Sequence, residues 1–305
     1  TDVASRVLTH HLTDKFGQPI VIDYRPGAGG TVGNALAAKA TPDGYTWLMT
    51  ATGPHVIGPS YYRSLPYDPF RDFEPVVLLV TSPVLAAASL SLGITNIKDL
   101  VAAAKASPGR FKYGSGGIGS VSHLSVEIFR SMAGIELLHV PYKGGGDFQA
   151  DMIAGRIDLQ FNSAPTVSPH IKSGRMKALA LARAQRWPDL ADVPKFAETG
   201  YPQYQPNGWY GLCAPAKTPR AIINKLNADI VAVLRKPEAR ERPVADVVVY
   251  KRASIDAALD RGDAVGDLLC VGAHPAEFGL TRLDPAAAGT DLALEFGQTL
   301  PTVGG

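Results

Sequence analysis

Phe111-Lys112-Tyr113-Gly114-Ser115-Gly116-Gly117-Ile118-Gly119-Ser120-Val121-Ser122-His123 is the stretch on which the fold turns. Phe111 to Tyr113 reads as a short strand, residues 114–120 as a glycine turn, and 120–133 as a helix. A glycine turn before a helix leaves backbone N–H groups aimed outward at the positive end of the helix dipole, so it can hold an anion without a charged side chain. Two more such turns occur, Arg25-Pro26-Gly27-Ala28-Gly29-Gly30 and Tyr142-Lys143-Gly144-Gly145-Gly146. Three of them suggest a protein built to grip a small anion.

The same alternation extends outward in both directions. Helical spacing over 2–16 is followed by a strand at Pro19 to Asp23, a helix at Thr31 to Ala40 and a strand at Tyr45 to Thr50. Phe73 to Val80 and Val84 to Ala88 read as two separate strands. Asn96 can cap a helix running to Ser107, with Asp99 in its first turn. Strands follow at 137–141, 157–161, 177–182 and 208–214, with helices at 147–154 and 166–173 and an amphipathic helix from Pro219 through Leu234. Regular strand–turn–helix alternation predicts an α/β protein with mainly parallel sheets covered by helices. After Pro243 the apolar residues keep no sustained period apart from Val247–Tyr250, and Pro285 to Gly289 reads as loop.

The bulk numbers narrow the classes. A chain of 305 residues is comfortable for two lobes. A formal net charge of +2 and no block of like charges argue against a nucleic-acid surface. No run approaches the ~18 apolar residues of a membrane span. Cys213 and Cys270 read as buried or free thiols, with a disulfide open if the protein is exported.

Several chemistries compete for the turns. Gly114 to Gly119 matches G-x-G-x-x-G between a strand and a helix, yet no carboxylate follows the next strand to hold a ribose. A dinucleotide-dependent oxidoreductase is therefore the alternative, and an anion-holding turn the preferred reading. Ser115 and Ser120 lie outside any G-x-S-x-G, and no His or Cys spacing fits a metal. On helix 120–133, Val121, Leu124, Ile128 and Met132 form an apolar stripe. His123, Glu127 and Arg130 lie opposite, either on a solvated face or lining a cleft. Lys143 reads as a solvated or anion-pairing charge. Asn162 and Ser163 end a strand, where a parallel sheet receives ligands, though Ser163 before Pro165 also fits a helix cap.

Taken in order, the motifs resemble a known family. Arg25 to Gly30, Pro42-Asp43-Gly44-Tyr45-Thr46, Tyr113-Gly114-Ser115, Gly119-Ser120, His123-Leu124 and His139 to Gly144 are similar to the substrate-binding receptors of tripartite tricarboxylate transporters, the Bug or TctC-like family. Asp189 to Pro194 with Glu198 and Gly200, Trp209-Tyr210-Gly211-Leu212, Ala214-Pro215 and Lys225-Leu226-Asn227 continue the match. The resemblance covers about residues 1–240. Family members carry a strand and a further glycine turn ahead of the helix that opens this chain, and the segment after about 240 departs from their pattern.

The resemblance implies a periplasmic receptor with two α/β lobes, of the type II-like periplasmic binding protein kind, with residues 1–90 plus 212–305 in one lobe and 91–211 in the other. A small carboxylate (a di- or tricarboxylate, an amino acid or an aromatic acid) binds between the lobes and passes to membrane permease subunits. Carried onto this chain, the ligand contacts fall on Gly27, Ala28 and Gly29 from one lobe. Ser115, Gly117, Ser120, His123, Tyr142, Lys143 and Gly144 come from the other, with Asn162 and Ser163 at their strand end. The expected protein is a monomer that binds without turnover and has no cofactor, metal or nucleic acid.

Overall fold

A computed structural model describes residues 2–144 and 146–235. The elements run α1 (Asp2–Phe16), α2 (Thr31–Ala37), β1 (Leu48–Ala51), α3 (Gly58–Tyr61), β2 (Phe73–Ser89), α4 (Ile97–Ala106), β3 (Lys112–Ser115) and α5 (Val121–Ala133). They continue with β4 (Leu138–Pro141), α6 (Asp147–Ile153), β5 (Leu159–Ser163), α7 (Ala164–Lys172), β6 (Met176–Leu181), β7 (Asn207–Pro215) and α8 (Arg220–Leu234). The readings placed on Cys270, Val247–Tyr250 and Pro285–Gly289 lie outside the described residues, as does Gly145.

β2 organises the whole sheet. Its first part, Phe73 to Pro83, pairs with β7, which also pairs with β1. From Val84 onward it pairs with β5 on one side and β6 on the other. The two strands expected at 73–80 and 84–88 are therefore one. Pro83 does not break it because the strand changes partners there, where the missing N–H of proline is least needed.

The expectation of mainly parallel sheets is corrected. β3 pairs in parallel with β4 and β5, the pattern a strand–turn–helix unit produces. The pairs β1–β7, β2–β7, β2–β5 and β2–β6 are all antiparallel. Periodicity identifies a strand but carries no direction, and the long β2 imposes antiparallel pairing on the strands that return to it. The predicted strand at Pro19–Asp23 is also absent, since no described strand pairs with it. Its alternation survives as a packing pattern: Ile20 packs against the apolar layer that includes Leu8 and Leu12, while Val21 points out at 84% exposure.

Each half of β2 has its own apolar layers. Around the first half, Leu8 and Leu12 of α1 and Ile223, Leu226 and Ile230 of α8 cover Val76, Val77 and Val80. Ala37, Tyr67, Phe73 and Cys213 form a smaller cluster. Around the second half, Ile97 and Leu100 of α4 and Val126 and Phe129 of α5 pack with Tyr113, Phe161, Phe196 and Tyr204. Met152 and Val167 pack with Leu85, Ala87 and Leu181.

α5 buries a different face from the one its apolar residues suggest. Ser122, His123, Ser125, Val126, Phe129 and Ala133 face inward, while Ile128 and Met132 are exposed. Phe129 decides the orientation: its ring meets Phe161, Phe196, Tyr201 and Tyr204, and burying such a ring contributes about 3 kcal/mol. Ser122 and Ser125 are small enough for close approach. Tyr204 spans the junction by donating its hydroxyl to the Ser125 carbonyl at 2.7 Å.

Candidate functional site

The first two glycine turns meet directly. A Cβ placed on Gly29 would lie 2.5 Å from the Ile118 carbonyl oxygen. One on Gly117 would lie 3.0 Å from the Gly29 nitrogen and 3.2 Å from the Tyr142 carbonyl oxygen. Gly29 and Gly117 also adopt positive φ, at +62° and +111°. Glycine is thus required twice over, for backbone conformation and for contact. The third turn joins the site through the Tyr142 backbone.

A further loop completes the junction, and sequence reasoning missed it. Thr52-Gly53-Pro54-His55 follows β1, and a Cβ on Gly53 would lie 3.1 Å from the Gly119 oxygen and 3.5 Å from the Gly29 oxygen. The Gly-Pro pair after a strand was the available signal. Thr52 Oγ1 accepts the Trp209 backbone N–H at 2.9 Å, tying this loop to β7. The indole N–H of Trp209 is buried without a hydrogen-bond partner. His55 is buried against Phe73 and Trp209, 3.3 Å from Thr50 Oγ1. Burial pushes its pKa down to about 4.

Inside the second turn, most donors are already used. The Gly116 N–H donates to Ser122 Oγ, that of Gly117 to Ser115 Oγ, and that of Gly119 to His123 Nδ1. Ser120 caps α5, accepting from the His123 N–H at 3.2 Å and donating to the Gly117 carbonyl at 2.7 Å. These three glycine amides hold the turn's own shape. Donors left at this end include the N–H groups of Val121 and Ser122, which a helix start leaves without intrahelical partners, and the far nitrogen of His123. Because Nδ1 accepts from Gly119, the proton of neutral His123 sits on Nε2.

An aromatic column backs the turn. His123 stacks on His139 with ring centroids 4.4 Å apart, and His139 stacks on Tyr113 at 4.7 Å. Ser115 Oγ lies 2.7 Å from His139 Nε2. Burial, then the neighbouring His123, hold the His139 pKa down to about 4. Burial also lowers that of His123. At the base, the Tyr113 hydroxyl and Arg130 both donate to Glu127. Burial opposes the Glu127 charge, but these two donors outweigh it and hold its carboxyl below the ordinary value. The column presents neutral imidazoles, and its one cation, Arg130, is paired.

Not every predicted residue gathers here. Ala28, Gly29, Ser115, Gly117, Ser120 and His123 are at the junction, while Gly27 accepts the Gly30 N–H within the first turn. Tyr142 contributes its backbone only, because its hydroxyl donates to Asp151 at 2.5 Å. Lys143 is exposed and Gly144 half-buried on the adjoining loop. Asn162 bonds its neighbour, its Oδ1 accepting the Ser163 N–H. Ser163 Oγ lies 2.6 Å from Ser82 Oγ, on β2 just before the strand changes partners. These two are joined to the crossing of β2 and not to the turns. The nucleotide alternative fares worse, since the amides a pyrophosphate needs already donate within the turn.

An α/β framework with glycine turns converging from both parts of one long strand is a solute-binding architecture, and comparison with known proteins agrees. The tripartite tricarboxylate transporter family receptor model matches residues 4–256, somewhat further than the resemblance at first extended. BugT of Bordetella pertussis is 35% identical over 236 residues, 77% of this chain and 72% of that protein. The periplasmic binding protein BugD superposes with a TM-score of 0.80 at 30% identity, covering 88% of this chain and 91% of that one. Rpa4515 of R. palustris, determined with adipate, gives 0.81 at 32% identity, covering 88% and 91%. The chain belongs to the tripartite tricarboxylate transporter receptor family, also called the Bug or TctC family, whose members are two-domain periplasmic solute-binding proteins.

Proposed function

We propose that this protein works in the periplasm as a receptor that captures a small carboxylate between its lobes and hands it to a tripartite tricarboxylate-type permease, with no chemical turnover. The observation that carries this reading is the meeting of Gly29, Gly53 and Gly117, from three separate loops, at contacts close enough to favour glycine. The lobes divide where β2 changes partners, at Pro83–Val84, and at the start of β7. The bounds that the resemblance implied are 90 and 211.

The donors identified here are neutral: helix-start amides and an imidazole N–H. Preorganised neutral dipoles suit a carboxylate that must later be released, because a buried ion pair is harder to break. Adipate in Rpa4515 makes a dicarboxylic acid the first candidate.

A thermal-shift screen of small mono-, di- and tricarboxylates tests the reading. One compound at a hundredfold excess over its Kd is expected to stabilise the protein by about 2.7 kcal/mol. If no carboxylate raises the melting temperature while NAD does, the oxidoreductase alternative replaces the receptor.

A further inference from the structure

We propose that Tyr62 is the latch that holds the first two glycine turns together, through a phenolic hydrogen shared between carbonyls from both. Its purpose rests on the receptor reading; the contact itself needs no ligand. Tyr62 Oη lies 2.8 Å from the Ile118 oxygen and 3.3 Å from the Ala28 oxygen. Two carbonyl oxygens brought to one point repel, and a hydroxyl offers a single hydrogen that can serve either. Closing the turns therefore creates a site that only a donor arriving from outside both can satisfy. Tyr62 is that donor.

Other features fit the same role. A Cβ on Gly119 would lie 3.3 Å from Tyr62 Cε2, so the phenol lies on the turn because position 119 is glycine. Ala28 has φ +45°, one of two non-glycine residues with positive φ among the described residues. That backbone is costly for any residue with a Cβ, and it occurs where the carbonyl meets Tyr62. Tyr61 places its ring edge-on to His123 at 6.0 Å, so the same loop tip touches the helix start as well.

The tip is supported from behind. The Tyr62 N–H donates to the Gly58 carbonyl at 2.9 Å, and the Tyr67 hydroxyl donates to the Pro54 carbonyl at 2.6 Å. Burial raises the Tyr62 pKa, so the hydroxyl keeps its hydrogen near neutrality. Tyr62 is a positioning residue: it acts on the turns, and the turns act on the ligand.

A purely structural anchor and a latch differ in what Tyr62→Phe changes. Hydrogen exchange is measured on the ligand-free protein, with Tyr45→Phe, at a 92% exposed position, as the control. A latch predicts exchange about three- to tenfold faster in segments 27–33 and 116–122, the scale of one lost hydrogen bond, and unchanged exchange in β6. Stopped-flow release of adipate should accelerate by a similar factor with the association rate unaltered. Equal exchange in wild type and Tyr62→Phe at both turns overturns the proposal whatever the ligand does. Faster exchange with unchanged release also overturns it, because the contact would then be structural only. Wild-type protein that binds no carboxylate sinks the receptor reading, and the exchange comparison still decides the contact.

Discussion

Gly29→Val is expected to weaken carboxylate binding at least about 100-fold, or 2.7 kcal/mol, while the protein still melts cooperatively. The added Cβ would sit 2.5 Å from the Ile118 oxygen, a distance no Cβ–oxygen contact tolerates. The obstacle is backbone, so no rotamer change relieves it. Position 29 also holds φ +62°, which a β-branched residue adopts only with strain. Both penalties are relieved by one movement, separation of the first turn from the second. The apolar layers on either half of β2 lie apart from this contact, so the fold should survive. Isothermal titration with the best ligand of the screen, paired with a melt by circular dichroism, gives the answer. Near-wild-type affinity would mean that binding does not require the turns to meet.

Acid should destabilise the protein in a window set by its buried histidines. His55 falls from an ordinary 6.5 to about 4 because burial disfavours its cation. A base with a depressed folded pKa leaves the unfolded chain holding more protons between those values, so stability rises with pH across the window and is lost as pH falls from 6.5 toward 4. For His55 alone the full loss is about 3 kcal/mol. His139 acts in the same direction and window, with a smaller effect because it is only partly buried. Carboxylates such as Glu127, whose pKa is lowered, lose their contribution only at still lower pH. Chemical denaturation at a series of pH values should therefore show a fall beginning below about pH 6.5 that His55→Gln reduces. A flat profile down to pH 4.5 would show that His55 is solvated or charged in the fold.

What the sequence revealed and concealed follows from the physics of each signal. Asn96 caps α4 as read, accepting the Asp99 N–H at 2.9 Å, and α8 buries Ile223, Leu226 and Ile230 as its spacing requires. Both signals are local. The face of α5 was concealed because it buries serines and a histidine beside Phe129, so hydrophobicity pointed to Ile128 and Met132. Strand direction was concealed because β2 takes partners more than seventy residues away, as in the pairing of Val84 with Ser163. The three glycine turns were legible as turns ahead of α2, α5 and α6. That Ser115, Ser122 and His123 would take the amides of the second turn was not, since this needs side-chain directions. Tyr62 and Gly53 lay in a loop with no turn motif longer than Gly-Pro, and only the contact between distant loops gives them a role.

One small carboxylate, on this proposal, is held jointly by loops from both parts of the sheet. Amide NMR of the 15N-labelled protein during titration with the screened carboxylate tests it most directly. The account predicts that the resonances of 27–30, 52–53 and 118–123 shift together along one saturable one-to-one isotherm. Shifts confined to a single loop, or shifts elsewhere with these three segments still, would contradict it.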